Sequence, residues 1–189
     1  MEPLAYAYPV EIVGLVVAPV QRYVGRPGHD PVSMPDEDRR TVVRVHEGRG
    51  VEGDRYYNKP AHRRGQVTVM SAESVDHVAQ VLGLDGLDPL LARRNVVIRG
   101  VQVDPVRGHH LSLDSGDGPV LLGSRTDARP CGWMNDVFGQ GAQRAMRGRG
   151  GVRCEALSSG TLRLGPATLM SAVPLVRETP ARTPNGAIA

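Results

Sequence analysis

The chain has 189 residues, 40% apolar and 23% charged, with seven aromatics, 23 glycines and 15 prolines; this is globular composition, long enough for one core and short for two. A formal charge of +3 permits an anionic partner without demanding nucleic acid. Two cysteines exclude a secreted disulfide framework, and the lack of a basic leader at the start or of any eighteen-residue apolar run gives the expectation of a cytoplasmic protein without a membrane span.

An apolar run over residues 10–18 (VEIVGLVVA), closed by Pro19, has the length of a buried strand. Residues 21–39 hold Pro27, Gly28, Pro31 and Pro35 and predict a long surface loop. The run 41–46 (TVVRVH) predicts the next strand, and 48–53 a turn. Residues 66–70 (QVTVM) alternate as a strand and lead into Ser71, the expected N-cap of a helix. Val75, Val78, Ala79 and Leu82 then recur at i, i+3, i+4 and i+7, and Gly83 stops the helix. Residues 87–92 predict a short helical turn, 95–98 (NVVI) a strand, and 111–113 with 120–122 a strand pair joined through the turn formers of 114–119. Met134, Val137, Phe138, Ala142 and Ala145 have helical spacing interrupted by Gly139 and Gly141, compatible with one helix or two short ones. Strands over 152–157, 161–164 and 167–172 follow, the first two expected as a hairpin turning at 158–160. Residues 177–189 read as a disordered tail. The order does not alternate as a doubly wound sheet would, so the fold class is mainly β, a barrel or sandwich with helical insertions, in one domain over 1–176.

Cys131, in Arg129-Pro130-Cys131-Gly132-Trp133, precedes a predicted helix, where a thiolate is stabilised. The plain reading of the same residue is a small packed side chain, and that reading is favoured for Cys154, which sits in alternating strand sequence. Arginines gather at Arg63–Arg64, at Arg93–Arg94 and around Gly148, Gly150 and Gly151, the last resembling an anion nest. His109 and His110 are adjacent, so on a strand they are expected to point to opposite faces. Asp54 follows Gly53 and is either a turn carboxylate or a ligand contact.

In chain order, Gly53-Asp54-Arg55-Tyr56, Gln66-Val67-Thr68-Val69 with Glu73, Arg93-Arg94-Asn95-Val96-Val97, Arg129-Pro130-Cys131 and Arg149-Gly150-Gly151-Val152 resemble the MOSC family, the C-terminal domain type of molybdenum cofactor sulfurases. The resemblance implies a closed MOSC-type β-barrel related to the pyruvate kinase barrel domain. It also implies a pocket for the molybdenum cofactor (molybdopterin), with Cys131 as catalytic residue and molybdenum ligand. Asp54, Arg64, Gln66, Arg94, Asn95, Arg149 and Gly150 are then the expected cofactor-binding residues. The chain departs from the family pattern at Gly65, where relatives often carry Arg, at Ala128, where many have a second cysteine, and at Pro166.

Three functions follow. A small molybdoenzyme would reduce N-hydroxylated or N-oxide compounds with electrons from a separate donor, since no flavin, haem or iron–sulfur motif is present. A sulfur carrier would hold a persulfide on Cys131, delivered by a cysteine desulfurase. A basic nucleic-acid module is the weakest, because aromatic platforms are scarce and no groove-reading motif occurs.

Overall fold

The computed structural model describes residues 2–21 and 36–178. Seven strands close into a barrel: β1 (Tyr6–Val16), β5 (Val67–Ser71), β6 (Val96–Arg99), β7 (His110–Asp114), β8 (Val120–Asp127), β9 (Val152–Ala156) and β11 (Gly165–Ser171). Around the ring they run β11-β7-β8-β9-β5-β6-β1, and β1 returns to β11 through a register from Tyr6↔Ser171 to Ile12↔Gly165. An odd ring cannot alternate direction throughout, and the one parallel contact is β5 with β6. Parallel neighbours need a crossover; it is the segment holding α1 (Glu73–Leu82) and a 3₁₀ turn at Pro89–Ala92. The short β2 (Arg39–Arg40) extends the sheet beside β1, while β3 (Val42–His46), β4 (Gly50–Val51) and β10 (Gly160–Arg163) form a separate three-stranded sheet.

The alternation of valine-rich strands sets two cores. Val67, Val69, Val96, Ile98, Leu111, Leu113, Leu122, Val152 and Cys154 fill the barrel interior. Met70 and Val97 point outward and pack under α1, α2 (Trp133–Phe138) and α3 (Ala142–Ala145), against Val75, Val78, Met134 and Phe138. β5 is therefore buried on both faces, and its polar Thr68 and Ser71 are buried with hydrogen-bond partners.

Three expectations change and one open alternative is settled. Ser71 ends β5 instead of capping α1; its hydroxyl donates to the Val101 carbonyl (2.7 Å) and accepts from Val103 N (2.9 Å). The strands over 152–157 and 161–164 are not a hairpin, because β9 pairs with β5 and β8 whereas β10 pairs with β3. The 133–146 region is two short helices, separated by Gly139 and Gly141 at φ 102° and 96°. His109 and His110 both reach one carboxylate, Glu2, at 2.9 and 3.4 Å, since His109 precedes β7 and escapes its alternation. The loop expected at 21–39 lies mostly outside the described residues; its end is a 3₁₀ turn at Asp36–Asp38 and β2. Most of the expected tail also lies outside them, although Arg177 bridges to Val101. Among the described residues no helix is long and apolar enough to cross a membrane.

Candidate functional site

At one end of the barrel, β1 and β8 finish and β6 and β9 begin, and their connecting loops converge. The interior there is packed with side chains. A cleft of about 320 Å³ lies on the outer wall, between the 3₁₀ segment Pro60–Gly65 and strands β8 and β9, lined by His62, Arg64, Arg125, Thr126 and Arg153. Arg153 sits between Val152 and Cys154, both interior, so alternation turns it outward.

Arg94 is 9% exposed and is the keystone of the converging loops. Its Nη2 donates to the Ala128 carbonyl (2.8 Å), its Nε to that of Gly150 (3.0 Å) and its Nη1 to that of Ala92 (3.2 Å). It thereby ties the loop carrying Cys131 to the loop carrying Arg149. It is buried under the two loops whose carbonyls it bonds. Burial pulls its guanidinium down to about 10, the like charges of Arg153 and Arg55 add to the drop, and Cys131 and Asp104 oppose it.

Cys131 is exposed, and Cys154 is fully buried. The Cys131 carbonyl accepts from Met134 N (3.0 Å), opening α2. Burial pushes the Cys154 thiol up to about 12.

Asp54 and Asn95 form a closed network. Asp54 Oδ2 accepts from Ala18 N (3.2 Å) and Asn95 Nδ2 (3.0 Å), and its Oδ1 accepts from Tyr56 N (3.0 Å). Asn95 Oδ1 accepts from Thr68 N and Oγ1 (3.0 and 2.9 Å), and Asn95 N donates to Thr68 Oγ1 (2.8 Å). These two residues join β1, β5 and the start of β6 and aim the neighbouring Arg55 and Tyr56. Gln66 is 1% exposed; its Nε2 donates to the Gly48 carbonyl (2.8 Å) while its Oε1 has no partner.

On the other side, with the Gln102 amide oriented so that both of its groups are satisfied, its oxygen accepts from Arg149 Nη1 (2.7 Å) and its nitrogen donates to Asp104 Oδ2 (3.1 Å). Asp104 Oδ1 accepts from Gly151 N (2.9 Å), and burial raises the Asp104 carboxyl despite that bond. A Cβ on Gly150 would meet the Ala128 carbonyl, and one on Gly151 the backbone of Val69 and Met70. The glycine pair thus permits close backbone approach, and the Gly150 carbonyl faces Arg94 rather than a ligand.

Sequence reasoning named Arg55 and Tyr56 only within a family-like segment and Arg153 only within the third arginine cluster, and it did not name His62. The Arg55 guanidinium lies over the Tyr56 ring (4.5 Å), which packs on His62 (4.6 Å). Burial raises the Tyr56 phenol, but bonds and charge from Arg55 and Arg153 outweigh it and leave it lowered. The Arg55 Nε is buried without an acceptor. The signal was available: the Asp-Arg-Tyr segment follows a glycine turn, and Arg153 interrupts an interior-facing strand. Mutually close guanidinium groups and an orphaned donor fit an anionic group, and the exposed thiol fits a soft metal.

The sequence model of the family described as MOSC domain matches residues 44–167. Among solved structures, the YuaD protein from Bacillus subtilis superposes with a TM-score of 0.67 at 15% identity, covering 89% of this chain and 99% of that one. YiiM from Geobacillus stearothermophilus gives 0.54 at 16% identity, covering 90% and 75%. YiiM from Escherichia coli gives 0.51 at 17%, covering 89% and 71%. No curated protein sequence matches the chain.

Proposed function

Because the chain belongs to the MOSC domain family, we propose that it binds the molybdenum cofactor against the arginine-lined outer wall and reduces N-hydroxylated or N-oxide compounds, with Cys131 as the metal's thiolate ligand. The observation that carries this reading is the exposed Cys131 thiol on a loop that the buried Arg94 guanidinium holds through the Ala128 carbonyl. When bound, the cofactor supplies the redox centre, and electrons come from a separate donor protein. The chain's own residues supply position and charge. Arg94 holds the Cys131 loop against the Gly150 loop. Arg55, Arg64 and Arg153 offer charge-assisted donors to a phosphate, and Arg149 borders the same loops. Asp54, Asn95 and Gln66 hold these groups in place.

The test is molybdenum content per chain in protein purified from a host that makes the cofactor. Wild-type protein is expected to carry the metal and Cys131→Ser to lose it; wild-type protein without molybdenum would overturn the reading. The exposure of Cys131 also favours a second reading, a sulfur carrier, since a donor protein must reach the thiol. A desulfurase persulfide would pass its outer sulfur to the Cys131 thiolate, leaving the desulfurase thiolate behind. Incubation with a desulfurase and cysteine should then add one sulfur atom, removable by a thiol reductant, to the wild type and none to Cys131→Ser.

A further inference from the structure

A second cleft adjoins the first. It has a volume of about 490 Å³ and is lined by Arg107, Gly108, Arg125, Thr126, Asp127 and Arg129. Arg125 and Thr126 also line the cleft of 320 Å³, so the two spaces meet across one point of β8. At that point the ladder with β9 slips: Ser124 faces Cys154 and Thr126 faces Arg153, leaving Arg125 as the extra residue of a bulge. A bulge interrupts pairing and re-aims a side chain. Here it lays the Arg125 guanidinium where both clefts meet, its Nη2 and Nε donating to Glu155 Oε2 at 2.7 and 3.2 Å.

Charge distinguishes this groove from ordinary basic surface. Arg64, Arg107, Arg125, Arg129 and Arg153 line the pair of clefts, whereas Asp127 is the single carboxylate lining them, already paired with Arg107 at 3.2 Å. Arg64 and Arg129 are exposed, and no hydrogen bond or ion pair ties either to a described residue, so the fold makes no use of their charge. A phosphate monoester is well served by one or two guanidinium forks. Arg125 and Arg107 already pair with Glu155 and Asp127; with Arg64, Arg129 and Arg153, which have no carboxylate partner among the described residues, they spread through two adjacent spaces, each within the size range of ligand pockets, and match a longer anion.

We infer that the groove across Arg125 takes a ligand carrying a diphosphate, as in a nucleotide-extended heterocycle, with one phosphate among Arg64, Arg125 and Arg153 and the next among Arg107, Arg125 and Arg129. The inference rests on the cofactor reading for the identity of the heterocycle, and on the two clefts alone for the diphosphate.

Calorimetric titration of the purified full chain with inorganic pyrophosphate, and with inorganic phosphate at matched ionic strength, tests it. Pyrophosphate is expected to bind at least roughly tenfold more tightly than phosphate, and Arg129→Ala and Arg107→Ala each to weaken it by about tenfold, the scale of one charge-assisted contact. Arg163→Ala, outside both clefts, should leave it unchanged. Arg129 has no partner to lose, so its variant should keep the wild-type urea midpoint and report on binding alone. Equal affinity for the two anions would overturn the inference, as would an Arg163→Ala effect as large as that of Arg129→Ala. The titration needs no molybdenum, so a negative result leaves the Cys131 reading standing, and a molybdenum-free protein leaves the groove standing.

Discussion

Two sets of polar side chains share one end of the barrel and behave oppositely. Asp54, Asn95, Thr68 and Arg94 are buried, and their hydrogen bonds run to other parts of the chain. Arg64, Arg129 and Cys131 are exposed, and their chemistry is directed outward. Residue type does not separate the sets, since Arg94 and Arg64 are both arginines beside turns. Covering does: a guanidinium sealed under two loops must satisfy its donors on carbonyls, whereas one on a rim keeps them for a ligand.

The largest expected effect separates the two thiols. At pH 8 a group titrating near 12, as burial makes Cys154 do, is thiolate in about one part in ten thousand. Cys131 is expected to react fully with a maleimide in the folded protein and Cys154 only after denaturation, as followed by intact mass. Modification of both at similar rates would break the contrast between rim and interior.

Next come the buried members. Asp54→Ala removes the acceptor of Ala18 N, Tyr56 N and Asn95 Nδ2 together, and Arg94→Ala strips three carbonyls of their donor. Each is expected to destabilise by about 2–4 kcal/mol, seen as a lower urea midpoint. A loss below about 1 kcal/mol in either would mean that water replaces the network.

Much of this arrangement was legible in the sequence. Interior positions followed from alternation in the run QVTVM, and α1 from the spacing of Val75, Val78 and Leu82, because burial imposes those periods directly. Partner choice was not legible: β9 and β10 look like a hairpin across Ser158–Gly160, yet tertiary packing sends β10 to β3. Nor was the fate of Ser71, whose hydroxyl serves Val101 and Val103, some thirty residues on. Cys131, Arg64 and Arg94 were marked by pattern, but which of them faces a ligand depends on loops that meet only in the fold.

Asp104 sits between the two sets and gives a smaller, pH-dependent effect. Burial raises its carboxyl above the unfolded value of 3.8, so the folded chain holds the proton more tightly. The resulting stabilisation is present in full below the unfolded value and is lost as pH rises through the folded one. Asp104→Asn can still accept from Gly151 N and is not subject to that loss. Wild type should therefore gain stability relative to Asp104→Asn as pH falls from 7 toward 4, measured by urea midpoints at each pH; the opposite slope would show that the Arg149 charge dominates.

The smallest effect on stability is expected at the rim, where it matters most for function. Arg64 is exposed on the segment Pro60–Gly65 and lines the cleft with Arg125 and Arg153. Replacing it with alanine removes no buried contact, so the urea midpoint should correspond to a change within about 0.5 kcal/mol. The same substitution takes one guanidinium from the proposed phosphate site, and loss of a charge-assisted bond of that kind is a change of roughly tenfold in retention. Molybdenum content after dialysis should fall in Arg64→Ala while stability holds, the reverse of what Asp54→Ala should show at its first effect. If Arg64→Ala keeps its molybdenum, the cofactor does not use this wall; if it loses stability as Arg94→Ala does, then exposure does not separate ligand-facing arginines from structural ones in this protein.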